Sequence, residues 1–169
     1  AAVSAVFTVQ GQPLLGVVLA FFCGALAGFV TALLQTKLGV QPILAGIITM
    51  TALYSVNLMV MGKPNINFFK EKTIFTAAEA MPGGFGSLLQ AAAITAVLCV
   101  LLVLFLRTQL GLSLRATGDN RDMVSASSIN PAFTTTVGLC LSNAVVALSG
   151  ALIAQYQKFA DNTLGTGMV

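Results

Sequence analysis

The chain has 169 residues, of which 57% are hydrophobic and only 8% are charged, and its mean hydropathy is +0.93. Soluble domains carry about 25% charged residues, so this composition excludes an ordinary water-soluble domain and predicts an integral membrane protein. The net charge of +3 comes from eight scattered Lys and Arg residues without a basic stripe, so nucleic-acid binding is not predicted.

Four apolar runs are long enough to cross a bilayer, because about 20 apolar residues span its hydrocarbon core as a helix. They cover residues 13–35, 43–61, 88–106 and 131–156. Residues 1–9 are also apolar and lack an initiator methionine, so they are predicted to be the tail of a further span. The runs are continuous rather than alternating with period two, which favours helices over a β-barrel. The predicted fold is all-α: a single polytopic transmembrane helix bundle over residues 1–169, as a fragment of a larger protein.

Small residues recur at every fourth position of the first long run, at Ala20, Gly24, Gly28 and Ala32. A stripe of this kind lets two helix backbones approach closely in a membrane. Two interpretations stay open for it: packing against another helix of the same subunit, or an interface between subunits.

The second run carries polar side chains on one helical face, since Met50, Tyr54 and Asn57 stand at i, i+4 and i+7. An amide or a phenol in hydrocarbon needs a partner, because an unpaired buried polar group costs about 1–3 kcal/mol. These residues either form interhelical hydrogen bonds or line one wall of a substrate pathway. Asn143, in the last run, admits the same two interpretations.

The remaining segments supply little chemistry. Residues 62–87 form a loop rich in Gly and Pro, in which a short interfacial helix is considered near residues 76–80. Every charged residue lies outside the four runs, so no intramembrane group for ion coupling is found. The basic residues divide four against four between the two predicted membrane sides, so charge does not set the orientation.

Residue types for metal or nucleophilic chemistry are missing from the sequence. It has no histidine, and Cys23, Cys99 and Cys140 stand far apart within apolar runs, so no metal site, no cofactor and no catalytic centre is predicted. It also has no G-x-x-x-x-G-K-[ST] phosphate-binding loop. An enzyme is therefore not expected, and any nucleotide would be hydrolysed by a different subunit.

Residues 107–130 are the polar exception, with three arginines and two aspartates between two membrane spans. Asp119 or Asn120 can cap a short helix that runs to about Ser127, and Asn130 ends it because it precedes a proline. The segment is predicted to lie against the membrane and to present apolar contacts at Met123, Val124, Ala126 and Ile129. A merely solvated connector is the alternative.

The pattern L-R-A-T-G-D-N-R-D-M-V-S-A-S-S-I-N over residues 114–130, followed by A-L-S-G-A-L over 147–152, resembles permease subunits of bacterial ABC importers. The similarity is to the branched-chain amino acid and ribose type, whose cytoplasmic loop reads R-A-x-G-x-N-x-x-A-A-x-x-x-G-I. This chain departs at the small pair in the middle of that motif, and Ser128 stands where the pattern has glycine. With these departures, the segment is similar to a branch of the family described as amino-acid (tryptophan-like) permeases.

The resemblance implies that residues 107–130 hold a coupling helix, seated in a groove of a separate ATP-binding-cassette ATPase subunit. Closure of the ATPases would tilt the spans 88–106 and 131–156 and open the pathway to alternate sides. Arg115 and Arg121 would donate charged hydrogen bonds, and Gly118 would permit a tight turn. The implied ATPase-coupling residues are Arg115, Ala116, Gly118, Asp119, Asn120, Arg121 and Ile129.

The same resemblance implies a multi-pass permease of the bacterial inner membrane that transports a small solute such as an amino acid. Its implied partners are the ATPase, a second permease copy, membrane lipid, and an extracellular or periplasmic substrate-binding protein facing residues 63–72. A secondary transporter or channel without an ATPase stays open as an alternative, as does a structural membrane subunit that transports nothing. Neither a carboxylate clamp nor a sugar-stacking aromatic pair is evident, so the substrate is not readable from the sequence.

Overall fold

The computed structural model describes residues 1–67, 69, 73–76 and 85–162. Within these ranges the chain forms helices and one short ribbon of two strands. The helices are α1 (Ala2–Val9), α2 (Pro13–Thr36), α3 (Pro42–Met61), α4 (Phe85–Leu106), α5 (Gln109–Asp119), α6 (Arg121–Ala126) and α7 (Pro131–Gln157), and the strands are β1 (Asn65–Asn67) and β2 (Phe159–Asp161).

Four of the described helices, α2, α3, α4 and α7, are long and apolar enough to cross a membrane. Their bounds lie within three residues of the predicted runs, and the all-α polytopic fold is confirmed. Prolines begin three of them, at Pro13, Pro42 and Pro131, because the first helical turn does not need the missing N–H. Most of the exposed side chains of α3 and α4 are apolar, which suits a surface that faces lipid.

The stripe of small residues on α2 packs against α7 of the same chain. A Cβ added to Gly24 would lie 2.6 Å from the carbonyl oxygen of Asn143, and one added to Gly28 would lie 2.8 Å from Cys140 Cα. Successive positions along α2 meet earlier positions along α7, so the two helices run antiparallel. Of the two interpretations of this stripe, packing within the subunit is the one that the structure shows.

The ribbon joins the end of α3 to the end of α7 and was not predicted. Its strands pair antiparallel, with Asn65 opposite Asp161 and Asn67 opposite Phe159. Lys158, with φ of 53°, ends α7 in the left-handed region and turns the chain into β2. Strands of three residues carry too few positions for a period-two pattern to show in the sequence.

A buried amide near the ribbon ties distant segments together. The Gln155 side chain is fully buried, and its Nε2 donates to Ser4 Oγ at 3.1 Å, Thr8 Oγ1 at 3.2 Å and the Pro13 carbonyl at 3.0 Å. Its Oε1 accepts from the Ile74 backbone N–H at 3.3 Å. Gln155 thus fixes α1, the start of α2 and residues 73–76 against α7.

Two predictions about the ends of the spans stay untested. Residues 1–9 are helical as α1, and their assignment to the tail of a further span stays a prediction. The interfacial helix considered near residues 76–80 falls mostly on residues 77–80, which lie outside the described ranges.

Candidate functional site

A groove of about 600 Å³ runs between α2, α3 and α7 and is the first of two candidate functional features. Its α3 wall extends from Pro42 to Asn57, and its α7 wall from Leu139 to Gly150. Pro42 and Asn57 are fifteen positions apart, which is about 22 Å at about 1.5 Å per residue. The groove therefore follows most of the roughly 30 Å hydrocarbon thickness of a bilayer.

All four residues predicted for a substrate pathway line this groove: Met50, Tyr54, Asn57 and Asn143. Met50 and Tyr54 are exposed to it, and Asn57 and Asn143 are half-buried. Asn143 Nδ2 donates to the Leu139 carbonyl of its own helix at 2.9 Å. Among the described residues, neither the Tyr54 hydroxyl nor the Asn57 amide hydrogen-bonds to another helix. Their polar atoms are available to the groove instead.

A pair of threonines that the sequence analysis did not single out joins two walls of the groove. Thr31 Oγ1 of α2 donates to Thr49 Oγ1 of α3 at 3.0 Å, and Thr49 Oγ1 donates to the Ala45 carbonyl at 2.9 Å. Both threonines are buried and line the groove. Threonine is common in membrane helices, so nothing in the sequence distinguishes this pair.

The ribbon end of the groove carries acceptor groups that the sequence analysis also missed. Asp161 is half-buried and, of the described side chains that line the groove, is the one that carries a charge. The neighbouring Asn162 donates through Nδ2 to the Tyr54 carbonyl at 3.2 Å and through its backbone N–H to the Pro64 carbonyl at 3.1 Å. These residues follow the last apolar run, so only the ribbon pairing brings them to the groove.

The second feature is the helix pair α5 and α6 between two spans, residues 109–126. The sequence predicted α6 but not α5. Thr108 caps α5 by accepting from the Gly111 backbone N–H at 3.3 Å. Asn120 caps α6 by accepting from the backbone N–H groups of Asp122 and Met123 at 3.0 and 3.1 Å. Of the two predicted caps, Asn120 therefore begins the helix, and Asp119 is the last residue of α5.

Most of the residues predicted to contact an ATPase are on the surface of this helix pair. Arg115, Ala116, Gly118, Asp119, Asn120 and Arg121 are exposed, and Ile129 is half-buried. Among the predicted apolar contacts, Met123 is 69% exposed, but Val124 is only 4% exposed and packs within the chain. Val124 is therefore a core residue of this subunit and not a partner contact.

The role predicted for Gly118 in a tight turn is wrong. Gly118 lies within α5 and has no positive φ, and a Cβ added there would meet nothing within 4 Å. The turn comes later, at Ser128, whose φ is 61°. Helical geometry continues through Gly118 because Asn120 is the residue that leaves it, at φ of −153°.

The helix pair is attached to the start of α7. Thr117 Oγ1 and Thr134 Oγ1 are 2.8 Å apart in a buried hydrogen bond, and a Cβ added to Gly138 would lie 3.2 Å from Leu114 Cδ1. A smaller cavity of about 370 Å³ lies beside this contact, lined in part by Arg121 and Gly118. Since α7 is also a wall of the groove, the two candidate features share one helix.

Potential metal ligands are dispersed among the described residues. Within those ranges, no three His, Cys, Asp or Glu side chains are grouped so that they could hold a metal ion. Cys23, Cys99 and Cys140 are free thiols on separate helices.

Comparisons with known proteins agree with a transport function. Residues 1–169 match the model of a family described as "Branched-chain amino acid transport system / permease component". The chain is similar to a "Tyrosine transport system permease protein" of Clostridioides difficile (strain R20291), with 39% identity over 92% of this chain and 51% of the relative. It is also similar to the "Uncharacterized protein RP368" of Rickettsia prowazekii (strain Madrid E), with 30% identity over 89% of this chain and 52% of the relative. The chain spans about half the length of these relatives, and no solved structure matches it.

Proposed function

Because this chain belongs to the family of permease components of branched-chain amino acid transport systems, we propose that its groove is part of the solute pathway of an ATP-driven importer. The chain is a multi-pass protein of the bacterial inner membrane. The proposed solute is an amino acid or a related small compound, as the name of the Clostridioides difficile relative suggests.

The groove is the observation that supports this proposal. Its length approaches the thickness of the hydrocarbon core, and polar groups of Tyr54, Asn57 and Asn143 line it within helices of mainly apolar composition. Placing a polar side chain in a membrane helix costs free energy, so its presence there favours a role in binding or conduction. The groove thus offers hydrogen bonds to a polar solute where lipid offers none.

We propose further that α5 and α6 contact a separate ATPase subunit. The pair presents two arginine side chains and the Met123 thioether on an exposed surface, and such a surface suits a groove in a partner protein. A movement of α5 would pass through the Thr117–Thr134 hydrogen bond to α7, and α7 would carry it to the groove. The energy of ATP would in this way change the shape of the pathway without any nucleotide chemistry in this chain.

The other proposed partners follow the arrangement of the helices. A second permease copy or lipid would cover the apolar surface of α4, none of whose span is buried in this chain. A substrate-binding protein would deliver solute at the side of the membrane where the ribbon lies, opposite α5 and α6.

Transport in proteoliposomes tests the pathway. We expect Asn57→Leu in the whole transporter, reconstituted with its ATPase and binding protein, to lower ATP-driven uptake of labelled tyrosine roughly fivefold, since one hydrogen bond to the solute is worth about 1 kcal/mol. Val56→Leu is the matched control, because Val56 is adjacent, 51% exposed and outside the groove lining.

Two outcomes would contradict the proposal. Unchanged uptake by the Asn57→Leu transporter would remove Asn57 from the pathway, and a loss of folded protein without a change in uptake per molecule would indicate a packing role. Uptake by the permease alone, with no ATPase present, would instead support the secondary transporter.

A further inference from the structure

We infer that the ribbon end of the groove recognises the protonated amine of the solute, with Asp161 and Asn162 as the specificity-determining residues. This inference rests on the proposed function, because it assigns the solute class to the same groove. It makes the ammonium group, and not a carboxylate, the part of the solute that this chain selects.

The charge of the groove lining is the first argument. Asp161 supplies a carboxylate, and no Lys or Arg side chain occurs among the described residues that line the groove. The other polar side chains of the lining are neutral amides, hydroxyls and one phenol, including Gln35, Asn57 and Asn143. A cationic group entering from the ribbon end gains a charge-assisted hydrogen bond, whereas an anion meets a like charge and no compensating Lys or Arg side chain.

The orientation of the Asn162 amide is the second argument. Its Nδ2 donates to the Tyr54 carbonyl, which can only accept, so the NH₂ group is fixed towards α3 and Oδ1 points away. Among the described residues this Oδ1 has no hydrogen-bond partner, although it is buried. An unmet buried acceptor is unfavourable, so a donor that reaches it stabilises the site.

Asp161 and Asn162 together favour a ligand that donates more than one hydrogen bond. Asp161 and Asn162 are adjacent and both present acceptor oxygens, and an ammonium group carries three N–H donors. Asp161 already interacts within the protein, so the incoming ammonium shares that carboxylate with its present partner. The Asn162 oxygen is covered in this conformation, so the inferred contact requires the residues at the mouth of the groove to move.

Cysteine labelling tests this charge selection without the ATPase, the binding protein or knowledge of the solute. In the full-length permease with its native cysteines, including Cys23, Cys99 and Cys140, replaced by alanine, Asn57→Cys places a thiol within the groove. We expect a cationic methanethiosulfonate (the ethyltrimethylammonium reagent) to modify it faster than the anionic sulfonatoethyl reagent, by a larger factor than the same two reagents show with a small thiol in solution. Asp161→Asn should lower the ratio of the two rates roughly fivefold, and Asp161→Glu should keep it.

Two controls separate the groove from other surfaces. Met59→Cys should react with neither reagent, because both reagents are charged and Met59 faces lipid. Its side chain is 84% exposed on the outer surface of α3 and lies outside the groove lining. Asn65→Ala should leave the ratio unchanged, since Asn65 is opposite Asp161 in the ribbon and does not line the groove. Added ligands should show the same preference for a cation. Tyramine should slow the labelling of the Asn57→Cys thiol, and 4-hydroxyphenylpropionate, which lacks the amine, should not.

The failures are distinguishable. Equal rates for the two reagents in the Asn57→Cys protein, or a ratio that Asp161→Asn leaves unchanged, would overturn the amine inference and leave the groove as a water-filled pathway. Protection by 4-hydroxyphenylpropionate but not by tyramine would overturn it as well. A thiol in the Asn57→Cys protein that neither reagent modifies would show that water does not enter the groove, and the proposed function would fail with it.

Discussion

Ser128 holds a backbone conformation that suits glycine. Its φ of 61° lies in the left-handed region, where a Cβ crowds the following carbonyl. The family motif that this segment resembles has glycine at the same position. The serine is therefore the departure from the motif with a structural cost, and it lies in the turn that leads from α6 to α7.

We expect Ser128→Gly to stabilise the protein by about 0.5–1 kcal/mol, because relief of the left-handed strain outweighs the extra freedom of glycine in the unfolded chain. Thermal unfolding in detergent would measure it. Ser127→Gly is the matched control, since Ser127 has a φ of −87° and gains nothing from glycine. A Ser128→Gly protein that unfolds at or below the temperature of the parent would contradict this account of the turn.

At the scale of elements, the contact between α2 and α7 is the principal packing contact of the bundle. Gly24 and Gly28 are buried, and any Cβ at either position would collide with the backbone of α7. Because lipid tails are as apolar as leucine, close packing and not hydrophobic burial holds these helices together. The antiparallel pair then fixes two of the three walls of the groove.

We expect Gly28→Leu to push α2 away from α7 and to destabilise the fold by about 3 kcal/mol or more, since backbone atoms cannot make room as a flexible side chain can. The yield of monodisperse protein after extraction and its unfolding temperature would measure the effect. Gly46→Leu is the control for folding, because a Cβ at Gly46 meets nothing within 4 Å. Equal loss in both variants would show that leucine itself, and not the contact, is responsible.

The elements that could be predicted are those whose signal is local. A run of about 20 apolar residues is enough to predict a membrane span. The four-residue spacing of Gly24 and Gly28 likewise predicts a packing stripe on one face of the helix. The motif over residues 114–130 correctly predicted the permease family. Asn57 and Asn143 were paired as candidates, but the groove that they share is visible only once α3 and α7 are placed.

The elements that were missed depend on distant parts of the chain. The ribbon has three residues per strand, and its pairing joins Asn65 to a partner almost a hundred positions away. Gln155 reads in sequence as an ordinary polar residue near the end of a span, yet its amide meets segments near residue 4 and near residue 74. The helix α5 was not predicted because its sequence contains Gly111 and Gly118, and glycine usually weakens a helix.

At the scale of the whole molecule, α7 connects the membrane groove to the exposed helix pair. Its first turns hold α5 through Thr134, its middle lines the groove at Asn143, and its end holds the ribbon and the Gln155 network. A helix is held straight by its own backbone hydrogen bonds, so a displacement of its first turns also moves the turns that follow. A movement imposed on α5 would thus reach the solute pathway through a single element.

We expect Arg115→Glu to uncouple ATP hydrolysis from transport in the reconstituted transporter. Arg115 is exposed on α5, so reversing its charge leaves the fold intact but replaces an attractive contact with a repulsive one at the proposed ATPase surface. ATP hydrolysis by the partner should continue, while the number of solute molecules imported per ATP falls roughly tenfold or more.

Lys37→Glu is the matched control for this variant, because Lys37 is an exposed cation in the turn between α2 and α3 and lies outside the helix pair. Its coupling ratio should equal that of the parent. Gly118→Val adds a second probe of the same surface, since a Cβ at Gly118 would meet nothing within 4 Å in this chain and the position is exposed. If Arg115→Glu and Gly118→Val both keep the parental ratio of transport to hydrolysis, α5 and α6 do not form the ATPase contact, and the movement of α7 must be driven from another part of the assembly.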